Sequence, residues 1–173
     1  MNHIMIDLET LDTVPSSIIL SIGAVYFDSG GLGREFYLPI KLEGQEKRTW
    51  SVDTLLWWMN QSEDARKATF LNNEAVLLHD ALIKLANFIF SFNNDHVLIW
   101  SNGPDFDAAI LQDAYKKELI NVPWSYSQNR CYRTYRDFHT PIDIARLGAH
   151  NALSDAKYQA LHMVQWLKVE EDV

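Results

Sequence analysis

The sequence predicts an α/β fold with a mixed sheet, and three observations carry that expectation. Strand-like stretches come first, helical stretches follow, and strand then alternates with helix to the C-terminus. The run Ile4-Met5-Ile6 near the N-terminus is wholly apolar and reads as a buried strand. Leu78, Leu82, Leu85, Ala86 and Ile89 recur at helical spacing, the stripe of a helix packed on a core.

Taken in order, the first strand runs through Asp7 and Glu9 and ends in a polar turn stretch from Leu11 to Ser17. Ile18 to Asp28 is β-branched and aromatic, a second strand. Ser29-Gly30-Gly31 marks a turn, and Arg34 to Ile40 reads as the return strand of a hairpin. After a polar loop, Ser51 and Asp53 are suited to cap a helix through Met59, and Ser62 opens another with acids in its first turn. Ala75 to Phe92 is the next predicted helix, followed by a short buried strand from His96 to Trp100. A helix is expected from Phe106 to Leu119, then a short strand near Tyr126 to Arg130 and a further helix. Pro141 to Gly148 reads as loop, and Asn151 to Lys168 as the C-terminal helix.

The bulk properties bound the answer. A chain of 173 residues can build one real core, so residues 1–173 are read as a single domain. Hydrophobic content of 47% and aromatic content of 12% are those of a globular chain. No apolar run approaches the roughly 18 residues of a membrane helix. Met1-Asn2-His3 leads straight into a strand without the segments of a signal peptide, so the expectation is a cytoplasmic protein with no membrane partner. Cys131 is the only cysteine, which excludes an intramolecular disulfide and a thiolate metal cluster. A formal charge of −8 argues against non-specific duplex binding, which needs a basic surface, but not against an enzyme whose acids are neutralised by metal.

Chemistry concentrates at three places. Asp7 and Glu9 are two apart on the first strand, so their side chains project to one face. Paired like charges on an apolar strand are costly unless compensated, and a hard divalent cation is the usual compensation. Asn102-Gly103-Pro104-Asp105-Phe106-Asp107 follows the mid-chain strand, and His150-Asn151-Ala152-Leu153-Ser154-Asp155 opens the last helix. Both lie at element boundaries of the kind that host sites in α/β folds. A histidine at the helix mouth and an aspartate five residues on can face one cleft, and an imidazole there can serve as general base.

These three stretches resemble the exonuclease motifs of the DEDDh superfamily, of the ribonuclease-T and proofreading-subunit type. Ile6-Asp7-Leu8-Glu9-Thr10, Trp57-Trp58-x-x-Gln61 and His150-Asn151-Ala152-Leu153 further resemble a bacterial and phage branch. That branch is related to exodeoxyribonuclease VIII proteins and to a mycobacterial-type 3′–5′ exoribonuclease. The resemblance spans nearly the whole chain and implies a ribonuclease H-like mixed sheet of about five strands flanked by helices. It implies Asp7, Glu9, Asp107 and Asp155 as metal-binding carboxylates and His150 as the base. The implied cofactors are two Mg²⁺ or Mn²⁺ ions, and the implied reaction is hydrolysis at single-stranded RNA or DNA 3′ ends with release of nucleoside 5′-monophosphates. Asp107 is preferred to Asp105 because it forms the Phe-Asp pair; Asp105 is also suited to cap the following helix.

Around these residues the substrate expectations are Thr10 and Leu11 beside the terminal nucleotide, Trp58 (in preference to Trp57) as a base-stacking ring, Gln61 one turn on, and Phe106. Arg130, Arg133 and Arg136 form a basic patch whose plainer reading is a solvated helix face. Homodimer formation is kept as an option. Two other readings stand beside the exonuclease: a ribonuclease H-type endonuclease, and a non-catalytic nucleic-acid or partner-binding module on the same fold.

Overall fold

The computed structural model describes residues 2–92, 97–146, 148 and 150–171. The strand start at His96 and the loop position Leu147 lie outside the described residues. Strands β1 (Asn2–Thr10), β2 (Ile19–Asp28) and β3 (Gly31–Pro39) form an antiparallel meander. Helices α1 (Val52–Met59), α2 (Glu63–Phe70) and α3 (Leu78–Phe90) follow. Strand β4 (Val97–Ser101), helix α4 (Asp107–Lys117), strand β5 (Asn129–Cys131), helix α5 (Tyr132–Asp137) and helix α6 (Ala152–Glu171) complete the chain. The sheet order is β3-β2-β1-β4-β5, with β4 parallel to both β1 and β5. The sheet is therefore mixed, five-stranded and flanked by helices, as the sequence predicts.

β1 is the central strand, and its alternation divides the core. Ile4, Ile6 and Leu8 pack with α3 and α4 on one face, among Leu82, Leu85, Ile110 and Tyr115. Met5 faces the other way, toward Val25, Phe27, Trp100 and the Ala156, Ala160 and Met163 stripe of α6. Asp7 and Glu9 continue the Met5 series, so they share the α6 side at the C-terminal end of the strand.

Two boundaries differ from the sequence reading for local reasons. The third helix starts at Leu78 because Val76 pairs its backbone with the end of the hairpin, donating to Pro39 O (3.0 Å) and accepting from Lys41 N (2.8 Å). The strand expected from Tyr126 is first a 3-10 turn over Tyr126–Gln128, because the Ser125 hydroxyl and the Gln128 side chain close a reciprocal cap. Only Asn129–Cys131 then pairs with β4. The expected caps at Ser51 and Ser62 are present: their hydroxyls accept from Thr54 N (3.1 Å) and Ala65 N (3.2 Å).

Candidate active site

Four carboxylates converge where β1 ends. Asp7 and Glu9 rise from β1 on one face, and α4 delivers Asp107 in its first turn. Asp107 is buried, and its Oδ1 accepts the backbone N–H of Leu8 (3.1 Å), which locks it to the strand between the two β1 acids. Asp155 comes from the first turn of α6 and is also buried. Asn151 caps that helix by accepting Ser154 N (3.1 Å), so the motif's asparagine sets where the helix starts.

The approach of α6 depends on Gly23, which pairs with Asp7 in the β1–β2 register. A Cβ on Gly23 would lie 2.2 Å from Ala152 C and 2.2 Å from Leu153 N. The first turn of α6 thus rests directly on the β2 backbone, and the missing side chain is what lets Asp155 reach Asp7 and Glu9. One turn beyond Asp155, the buried Gln159 donates Nε2 to Asp7 Oδ1 (2.9 Å), while its Oε1 has no hydrogen-bond partner among the described residues. His150 stands at the helix mouth with φ +63°, a left-handed conformation uncommon outside glycine. Its backbone N–H donates to Asp155 Oδ2 (3.2 Å). Arg146 donates Nε (2.9 Å) and Nη2 (2.7 Å) to Asp155 Oδ1.

Crowding four acids has an electrostatic cost that the protein groups do not cancel. Burial pushes Asp7 well above the usual carboxylate range, and the neighbouring charges of Asp107, Glu9 and Asp155 push it further, against the Gln159 hydrogen bond. Burial, then Asp155 and Asp107, raise Glu9 to about 8 against the opposing charge of Arg146. Burial raises Asp107 to about 7, against backbone hydrogen bonds that favour its charged form. For Arg146, partial desolvation works to lower its pKa, but the hydrogen bonds and charge of Asp155 and the charge of Asp7 outweigh it, and the net shift is upward. Glu9, His150 and Asp155 each place a ligand atom within 4.8 Å of the others. An oxygen-rich donor set with one imidazole, held together against its own repulsion, fits a hard divalent cation.

Beside the carboxylates lies a cavity of about 440 Å³ lined by Leu8, Glu9, Thr10, Trp57 and Phe106 among others. It separates the predicted substrate residues. Thr10 and Phe106 line it, although the Thr10 hydroxyl is committed to Asp12 O (2.7 Å). Trp58 also lines it, but from within the core: it is 1% exposed, packs edge-on to Phe70, and donates Nε1 to Thr10 O (2.9 Å). Trp57 is the open ring, 43% exposed and edge-on to His150 at 4.8 Å between centroids. Leu11 is buried in a small core cluster with Leu20 and Trp58, so it supports the cavity from behind. Gln61 lies outside the residues lining this cavity and folds its amide back onto Trp57 O (2.9 Å).

One weaker expectation also changes. Asp105 does not cap α4; it is exposed and faces Arg133 at 3.8 Å. Arg130 donates to Ser127 O and Asn129 O, and Arg136 to Asp137, so with Arg133 the three arginines are engaged along the surface. Sequence reasoning missed Gly23, Arg146 and Gln159. Gln159 alone had a local signal, four residues after Asp155 and so on the same helix face.

A five-stranded mixed sheet flanked by helices, with β1 at its centre, is the ribonuclease H-like fold, and four carboxylates gather at the end of that central strand. Within that class, the chain belongs to the Rv2179c-like 3′–5′ exoribonuclease domain family, whose model matches residues 2–167. It is 27% identical over 125 residues to the exodeoxyribonuclease of Enterobacteria phage T4, covering 65% of this chain and 55% of that protein. The nuclease domain of 3′hExo, a DEDDh family member bound to rAMP, superposes with a TM-score of 0.67 at 15% identity, over 97% of this chain and 92% of that one. Exonuclease I superposes with a TM-score of 0.69 at 14% identity, over 97% of this chain but only 41% of its own. The chain thus spans about half the length of the phage relative and less than half of exonuclease I. Among the described residues no helix is long and apolar enough to cross a membrane.

Proposed function

We propose that this domain is a metal-dependent 3′–5′ exonuclease that removes nucleoside 5′-monophosphates from single-stranded ends. The observation that carries the reading is the convergence of Asp7, Glu9, Asp107 and Asp155 at the end of β1, with His150 beside them. Family membership and the oligonucleotide-bound form of E. coli exonuclease I support it. Glu9, Asp155 and Asp7 would hold one Mg²⁺ or Mn²⁺ ion, and Asp7 with Asp107 a second. When bound, such ions neutralise the phosphate, acidify the attacking water and stabilise the leaving oxygen.

The chain's own groups supply the rest. His150 takes the proton of the attacking water, held over the site by its left-handed backbone and by the contact of its N–H with Asp155. Gln159 fixes the rotamer of Asp7. Trp57 offers a face to the terminal base, and Phe106 and Thr10 close the cavity in which that nucleoside sits. The placement of a His150 ring nitrogen within reach of Glu9 and Asp155 favours one second reading, in which the imidazole is itself a metal ligand.

Matched single-stranded RNA and DNA, each linear with a free 3′ end, linear with a blocked 3′ end, or circular, test the proposal. The exonuclease should digest only the free-ended strands. Cutting of circles would make the domain an endonuclease, and no cleavage with Mg²⁺ or Mn²⁺ would leave a binding module.

A further inference from the structure

We propose that Arg146 is the resident counter-cation of the carboxylate cluster: it holds Asp155 until a divalent cation claims that carboxylate, and then turns to a phosphate of the bound strand. The inference rests on the nuclease reading above and adds to it a residue that both gates metal entry and positions substrate.

The contact is specific. Nε and Nη2 of Arg146 both reach Asp155 Oδ1, at 2.9 and 2.7 Å, while Oδ2 of the same carboxylate accepts the N–H of His150 at 3.2 Å. Oδ1 of Asp155 thus accepts two guanidinium donors, whereas Oδ2 accepts one backbone N–H. An ion shared with Glu9 and His150 needs at least one of these oxygens, because those three residues form the compact donor set. Arg146 and the cation cannot both keep Oδ1 at full strength.

The two partners differ in their freedom to leave. Asp155 is buried and anchored in the first turn of α6, whereas the Arg146 side chain is 46% exposed on a segment without regular structure. The guanidinium is the mobile member. It also has somewhere to go, since it stands on the wall of a second cavity, about 700 Å³, that opens beside Asp155 and Gln159 and is also lined by Asn102, Arg136 and Tyr158. The Tyr158 ring already lies 5.7 Å from it. A guanidinium fork matches phosphate as well as it matches carboxylate, and a substrate phosphodiester next to the ions is the anion nearest to hand. In a chain of net charge −8, such a cation also offsets repulsion of the incoming strand.

The test is a Mn²⁺ titration by calorimetry on the full chain without nucleic acid, for wild type, Arg146→Gln and Arg146→Lys. Steady-state kinetics on a single-stranded oligonucleotide follow, and melting curves establish that each variant is folded. Removing the competitor should tighten Mn²⁺ binding by about three- to tenfold in Arg146→Gln, the worth of a charged hydrogen bond discounted for exposure. The same variant should raise KM by about tenfold, with a smaller change in kcat, because a phosphate contact is lost. Arg146→Lys keeps the charge without the fork and should fall between wild type and Arg146→Gln on both measures.

Wild type that binds Mn²⁺ with Arg146→Gln binding it equally or more weakly would overturn the inference and make the arginine a structural strap for the loop. Wild type that binds no Mn²⁺ would overturn the metal-dependent reading itself, and this inference with it.

Discussion

Trp57 and Trp58 are one helical step apart, roughly 100° around the axis, and that rotation separates their roles. Trp58 goes inward, where its indole N–H closes the end of β1 through Thr10 O. Trp58→Ala should cost about 3–5 kcal/mol of stability, the usual loss for a buried tryptophan, readable as a lower denaturant midpoint. Trp57→Ala should leave the melt nearly unchanged and instead raise KM, since stacking on one base is worth about 1–3 kcal/mol. Equal effects on the melt would remove the distinction.

His150 is tested at the same scale. His150→Ala should slow hydrolysis by about 10²–10⁴-fold with Mn²⁺ affinity unchanged if it is the base; a matching loss of Mn²⁺ affinity would make it a ligand. The carboxylates give a pH prediction whose sign follows from their raised values. Glu9 and Asp107 stay protonated in the fold up to about 8 and about 7, where the unfolded chain has already released those protons. The folded state binds more protons, so its stability is full below the ordinary carboxylate range and falls as pH rises through 7 to 8. In EDTA the melting temperature should therefore drop between about pH 5 and about pH 8.5, and added Mn²⁺ should restore more at the higher pH. A flat profile in EDTA would contradict the cluster's electrostatics.

At the scale of elements, the decisive contact is the first turn of α6 lying on β2. It brings Asp155 to β1 only because residue 23 has no side chain. Gly23→Ala must push the helix away or bend the strand, and overpacking of this kind costs about 1–3 kcal/mol or more. The expected result is a lower melting temperature together with weakened Mn²⁺ binding. A variant that melts like wild type and binds Mn²⁺ equally well would show that the close approach is not needed. The contrast with Asp107 is instructive. That residue is fixed instead by a hydrogen bond from the Leu8 backbone N–H across to the first turn of α4.

Across the whole molecule, what could be read in the sequence was what local geometry controls. Asp7 and Glu9 share a face because strands alternate, and Ser51 and Ser62 cap helices through their own hydroxyls. Gly23 and Arg146 carried no such signal. The first matters only against a helix about 130 residues away, and the second sits in a loop with no periodicity. Which of Trp57 and Trp58 is the more open could not be read, because two adjacent rings on one helix look alike until the core claims one. The central claim is that the four carboxylates form one metal-dependent centre working from the 3′ end. A single-stranded oligonucleotide labelled at its 5′ end, digested with Mn²⁺ by wild type and by Asp7→Ala, tests it most directly. Wild type should give a ladder receding from the 3′ end with release of mononucleotides, and Asp7→Ala, still folded by its melt, should leave the strand intact. A ladder from Asp7→Ala, or products shortened from the labelled end in wild type, would contradict it.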